Sequence, residues 1–138
     1  MLMPKATVGA IIHPSESERS TILLTRRNVN PFKDHWCLPG GHIDDYESVE
    51  NAVVREVKEE TNLDFAPETF VGWFEEIFPE HNFHAVALVF AGTGSGALQS
   101  QPEEVADMAW FALDDALSMP IAFTHNLVLQ HYARSLEK

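Results

Sequence analysis

One helical stretch of this chain must bury a face on which three carboxylates also lie, and few folds can accommodate such a helix. Residues 44–61 read DDYESVENAVVREVKEET. Either Asp44 or Asp45 caps the helix, Asp44 and Glu47 having the spacing of a capping box, and Asn62 stands where a left-handed C-cap residue belongs. With Glu56 at zero on a wheel of ~100° per residue, Glu60 falls at ~40° and Glu59 at ~−60°. On the same wheel Val49 lies at ~20°, Ala52 at ~−40°, Val53 at ~60° and Leu63 at ~−20°. The glutamates therefore continue the apolar stripe, while Asn51, Val54 and Lys58 take the opposite side.

Carboxylates turned inward repel one another and lose hydration, so they need compensation. Arg55 neutralises only part of their charge, and a divalent cation can take up the rest. Oxygen-only ligands, with no cysteine or paired histidine, favour a hard ion: Mg²⁺ first, Mn²⁺ second. Mg²⁺ usually takes a few carboxylates and completes its shell with water and substrate phosphates. The helix thus predicts a metal-assisted phosphate site. The Gly40-Gly41 pair just upstream can adopt positive φ and let the backbone approach another group closely.

The rest of the chain frames that helix. Ala6 to His13 reads as a strand ending at Pro14, and Ser20 to Arg27 as a second. Trp36 to Gly41 is a short extended piece running into a turn. Phe70 to Phe78 and Ala85 to Gly92 are further strands; the latter, AVALVFAG, is apolar on both faces and so central. Ser95 to Pro102 is a loop, Met108 to Ala112 a strand, Asp114-Asp115 a short helical turn, and Phe123 to Leu136 a closing helix. At 138 residues, one mixed α/β domain spanning 1–138 is expected.

Twenty-one acidic against nine basic residues give a net charge of −12, which argues against a phosphate-binding face for DNA or RNA. No Lys or Arg occurs between Lys58 and Arg134, so a phosphate in that half needs a bridging cation. The lone Cys37, between Trp36 and Leu38, reads as a buried structural thiol. The start lacks the apolar run of a signal peptide and no segment is long enough to span a bilayer, so no membrane is expected and the cytoplasm is the default compartment. The seven histidines show no metal-ligand spacing.

The pattern Gly41-x5-Glu47-x7-Arg55-Glu56-Val57-x-Glu59-Glu60-x-Asn62-Leu63 resembles the signature of the Nudix hydrolases, which cleave a nucleoside diphosphate linked to another moiety. It departs at one position, Asn62 standing where the family has glycine, and Asn is the next-best left-handed cap. Arg26-Arg27, Trp36-x-Leu38-Pro39-Gly40-Gly41 and Trp110-Phe111 also sit where relatives carry similar residues, so the resemblance covers nearly the whole chain. It implies an α/β/α sandwich with a mixed sheet. It implies Glu56 and Glu60 as core metal ligands, Glu59 as a further ligand directly or through water, and the Gly40 carbonyl on the same ion. Arg55 becomes an orienting residue paired with Glu47. Glu104, six residues before Trp110, supplies a late-loop acid, with Glu103 as alternative. Arg26 or Arg27 meets a substrate phosphate, and Trp36 and Trp110 read as core. The chemistry implied is water attack at phosphorus, with Glu104 or one of the helix glutamates as general base.

Substrate signals diverge. Pro79 and the run from Arg27 to Trp36 resemble relatives that cleave ADP-ribose, although Glu80 to Phe83 lacks the arginine such enzymes often carry. Asn126, sixteen residues after Trp110, resembles the base-reading Asn of relatives that cleave nucleoside triphosphates, or else belongs to a helix N-cap beside Thr124. ADP-ribose or another nucleotide sugar leads, ahead of a (d)NTP pyrophosphohydrolase and of a non-catalytic nucleotide sensor. The expected partner is a small nucleotide, and a homodimer is left open.

Overall fold

The computed structural model describes residues 2–137. Its order is β1 (Lys5–His13), β2 (Thr21–Arg27), β3 (Trp36–Cys37), β4 (Gly40–His42), α1 (Val49–Thr61) and β5 (Asp64–Phe78). A 3₁₀ turn at Pro79–His81 leads to β6 (Phe83–Ser95), β7 (Val105–Ala112), α2 (Leu113–Leu117) and α3 (His125–Leu136). The strands form two sheets, β4-β1-β6-β5 and β3-β2-β7. The first is mixed: β1 runs parallel to β6 and antiparallel to β4, and β6 runs antiparallel to β5. Strand β6, apolar on both faces over residues 85–92, lies between β1 and β5, as that run requires.

Alternation along the strands assigns each side chain to a layer. Val8, Ala10 and Ile12 of β1 and Leu23 of β2 pack with Ala52, Val53 and Val57 of α1. Their sequence neighbours Ile11, Ile22 and Leu24 pack with Leu113, Ala116, Val128, Leu129 and Tyr132 of α2 and α3. Sheets between α1 on one side and α2 with α3 on the other make the expected α/β/α sandwich. Fully buried, Val53 and Val57 each contribute about 1.5–3 kcal/mol to holding α1 in place. No helix among the described residues is long and apolar enough to cross a membrane.

Two local expectations are corrected. The helix starts at Val49, not after Asp44 or Asp45, with Ser48 Oγ accepting the Asn51 N–H at 3.2 Å. Asp44 and Glu47 do exchange hydrogen bonds, but as a turn ahead of the helix, from which Tyr46 leaves in the left-handed region at φ 63°. Second, Gly40 and Gly41 form strand β4 and neither has positive φ. Their need is space. A Cβ on Gly40 would lie 2.0 Å from the Val8 carbonyl oxygen, and one on Gly41 would lie 2.5 Å from the Glu56 carboxyl. At the other end of α1, Asn62 caps in the left-handed region at φ 69°, as expected.

Candidate active site

Where α1 faces β4, a cavity of about 400 Å³ opens, within the size range of small-ligand sites. Glu56, Glu60 and Glu104 all line it. Glu56 and Glu60 come from successive turns of α1, and Glu104 immediately precedes β7. The buried stripe of α1 runs through Ala52, Val53, Val57 and Thr61. Its centre therefore lies between Val53 and Val57, at ~80° on the wheel above, which leaves Glu59 outside it. Glu59 is 57% exposed and lines no part of the cavity.

Charge in this acidic group is organised by one cation. Arg55 donates from Nε to Glu47 Oε2 at 2.7 Å and from Nη2 to Glu47 Oε1 at 2.9 Å. Its Nη1 reaches Glu56 at 3.0 Å and Glu59 at 3.2 Å, and Nη2 also donates to the His42 carbonyl. Those hydrogen bonds hold Glu47 below the usual carboxylate range, Arg55 being the main cause. Glu56, half-buried, is pushed up by loss of solvent, which Arg55 offsets in part. Glu60 has no such partner. Burial pushes its carboxyl up to about 8, against the Gly40 N–H that donates to its Oε1 at 2.7 Å, and neighbouring Glu56 and Glu104 push the same way.

This donor set fits a hard divalent cation. A buried carboxyl among like charges is what an ion at that place would relieve, and every offered ligand is oxygen. No group of three or more His, Cys, Asp or Glu among the described residues forms a ready-made cage.

Away from the glutamates the cavity changes character. Arg27 lines it, donating from Nε to the Pro31 carbonyl at 2.7 Å, with its guanidinium carbon 4.8 Å from the centre of the Phe123 ring. Phe123 packs against Phe32, Phe78, Phe83 and His125. Beside this cluster lies Glu76, only 3% exposed, whose Oε2 accepts from the Thr124 N–H and hydroxyl, each at 3.3 Å. His125 Nε2 lies 3.5 Å from the same oxygen. His125 Nδ1 accepts the Leu38 N–H at 3.0 Å, and burial lowers this imidazole to about 3, so the ring is neutral with its proton on Nε2.

Several expected residues lie elsewhere. Arg26 points to the surface, where its Nη1 is 3.5 Å from Asp34, and Asn126, in the first turn of α3, lines no part of the cavity. Glu103 and Pro79 also stay outside it. Trp36 and Trp110 pack against the two core clusters, as expected of core residues. Cys37 is buried, and burial pushes its thiol up to about 11. Glu76, Phe83, Phe123 and His125 were not anticipated. Their signal was the alternation Phe74, Glu76, Phe78, which sets a carboxylate in phase with inward-facing phenylalanines.

The sequence model of the NUDIX domain matches residues 3–132. The chain belongs to the NUDIX family. Among its NUDIX relatives, the ADP-ribose pyrophosphatase of Methanocaldococcus jannaschii is 32% identical over 133 residues, covering 96% of this chain and 75% of that one. A MutT NUDIX hydrolase from Burkholderia pseudomallei superposes with a TM-score of 0.84 at 32% identity, covering 94% of this chain and 98% of its own. The NUDIX domain of Shewanella oneidensis NrtR, solved in complex with ADP ribose, gives a TM-score of 0.82 at 27% identity, over 99% and 90% of the two chains.

Proposed function

We propose that the chain hydrolyses the diphosphate bond of ADP-ribose or another nucleoside diphosphate sugar, with Mg²⁺ as its metal and Mn²⁺ as a substitute. As a NUDIX member with an ADP-ribose pyrophosphatase among its relatives, it is a diphosphate-cleaving hydrolase of nucleoside diphosphates that carry another moiety. The observation that carries the narrower reading is the order of chemistry in the cavity: Glu56, Glu60 and Glu104 together, then Arg27, then an aromatic and hydrogen-bonding region. A diphosphate bearing an organic group on each side suits that order.

Glu56 and Glu60 would hold the ion, with the Gly40 carbonyl as a further contributor, while Glu59 stands outside the cavity. When bound, the ion supplies charge neutralisation at the diphosphate oxygens and a lowered pKa for coordinated water. Arg27 binds and orients a phosphate oxygen. Arg55 and Glu47 are positioning residues that fix the helix face. Glu104 lines the cavity and its carboxylate is engaged in no hydrogen bond among the described residues, which favours it over Arg55-bound Glu59 as acceptor of the water proton. The triphosphate alternative rested on Asn126, and that residue stands outside the cavity.

The test is product analysis after incubation with Mg²⁺ and a panel of ADP-ribose, sugar nucleotides, dinucleoside polyphosphates and (d)NTPs. AMP and ribose 5-phosphate from ADP-ribose are the expected products. Turnover confined to (d)NTPs would replace the substrate assignment, and binding without any turnover would make the chain a nucleotide sensor.

A further inference from the structure

Glu76 is a carboxylate set into the wall of the cavity at a distance from the metal-side acids. Burial pushes it up, and the charge that reaches it comes from Arg27; none of Glu56, Glu60 or Glu104 is close enough to matter. Arg27 acts on Glu60 as well, which puts the guanidinium between two acidic poles. Two donors converge on Oε2 of Glu76, the Thr124 N–H and the Thr124 hydroxyl, and Nε2 of neutral His125 lies 3.5 Å from the same oxygen. Oε1 accepts from no described residue. Yet no fully enclosed side-chain oxygen among the described residues lacks a partner. Oε1 must therefore reach the cavity, which Glu76 lines.

A buried acceptor kept free beside a ligand space is costly unless the ligand supplies a donor. The surrounding backbone is also held in an unusual state. Phe123, adjacent to Thr124, sits at φ 56°, a region bulky residues rarely adopt. That conformation turns its ring under Arg27 and against Phe83 while its neighbour Thr124 grips Glu76.

We infer that Glu76 is a specificity-determining residue whose free oxygen accepts a hydrogen bond from a neutral O–H or N–H donor on the organic group attached to the diphosphate. Thr124 and His125 are the positioning residues that leave only that oxygen available. An anionic group at the same place meets a carboxylate and is rejected. This rests on the nucleoside diphosphate sugar reading and narrows it: what lies beyond Arg27 is a hydroxylated sugar or an amino-bearing base, and not a further phosphate.

Glu76→Gln tests this without changing shape. The two Thr124 donors hold the amide oxygen where Oε2 now sits, so the amide NH₂ faces the cavity and an acceptor becomes a donor. Binding is measured by titration calorimetry in EDTA, where hydrolysis does not interfere, with ADP-ribose and its hypoxanthine counterpart IDP-ribose. The variant should bind ADP-ribose about tenfold more weakly than wild type, the loss of one hydrogen bond to a charged group. If IDP-ribose, which presents a carbonyl oxygen where ADP-ribose presents an amino group, binds more tightly to the variant, the donor is the base amino group. If both ligands weaken equally, the donor is a sugar hydroxyl. Unchanged affinity for both, or no binding by wild type, overturns the inference. Should the amide variant fail to fold, Glu76→Asp withdraws the free oxygen by one methylene and must weaken the same ligands. Binding that is sensitive to Glu76 with no Mg²⁺-dependent turnover would remove the enzyme reading and leave this one standing.

Discussion

Arg55 grips Glu47 at two points, Nε to Oε2 at 2.7 Å and Nη2 to Oε1 at 2.9 Å, and so ties the loop before α1 to the helix face that carries Glu56. The grip needs a planar fork, which lysine lacks. Arg55→Lys should therefore lower stability by about 1–2 kcal/mol in urea unfolding and depress Mg²⁺-dependent turnover as well. Wild-type values for both would show the grip to be incidental.

The two glycines of β4 fail differently when substituted. Gly40→Ala drives a methyl into the Val8 backbone oxygen and should break the β1–β4 ladder, seen as loss of a cooperative thermal transition. Gly41→Ala meets only the end of the Glu56 side chain, which can move. It should fold, and lose turnover by roughly 10²-fold because a displaced ligand is costly to catalysis. Equal effects on folding from the two changes would refute this division.

Metal-free stability should fall as pH rises. The folded-state pKa of Glu60, about 8, lies above its ordinary value of 4.5, so the native state holds a proton that the unfolded chain has given up. That contribution is fully present below 4.5 and is lost as pH rises through about 8. Glu56 and Glu76 are shifted in the same direction. Melting in EDTA should show the decline, and Glu60→Gln should flatten it and gain ~1–2 kcal/mol at the alkaline end by removing a buried charge. A melting temperature that climbs steadily over this interval would contradict the assignment.

Binding of Mg²⁺ should release a proton, since the ion needs Glu60 ionised. Calorimetry in two buffers of different ionisation enthalpy should give a positive proton release below pH about 8, shrinking above it. Identical apparent enthalpies in the two buffers would exclude Glu60 as the group displaced.

Sequence periodicity was enough to turn Glu56 and Glu60 inward, because Val53 and Ala52 leave that helix no other face to bury. It misplaced the start of the helix because the Asp44–Glu47 pair forms, but as a turn ahead of the helix, and Ser48 supplies the cap. Choosing between Arg26 and Arg27 was beyond it. The register between β2 and β7 shifts between these two residues, and that irregularity accompanies their division between surface and cavity. Glu76 and His125 meet only through tertiary packing of β5 against the entry to α3, so no spacing rule joins them.

The parallel pairing of β1 with β6 also sets an order of assembly. Lys5 lies beside Ala85 and His13 beside Thr93, so the first strand cannot complete its sheet until more than half of the chain has been made. β4, with the glycines against which Glu56 and Glu60 rest, hangs on β1. A nascent chain halted after α1 would own the acidic helix and β4 and still lack β6, the strand beside which β1 must lie. High contact order of this kind slows folding. The cavity is therefore a late product of the folding reaction, although Glu56 and Glu60 are among the earlier residues synthesised.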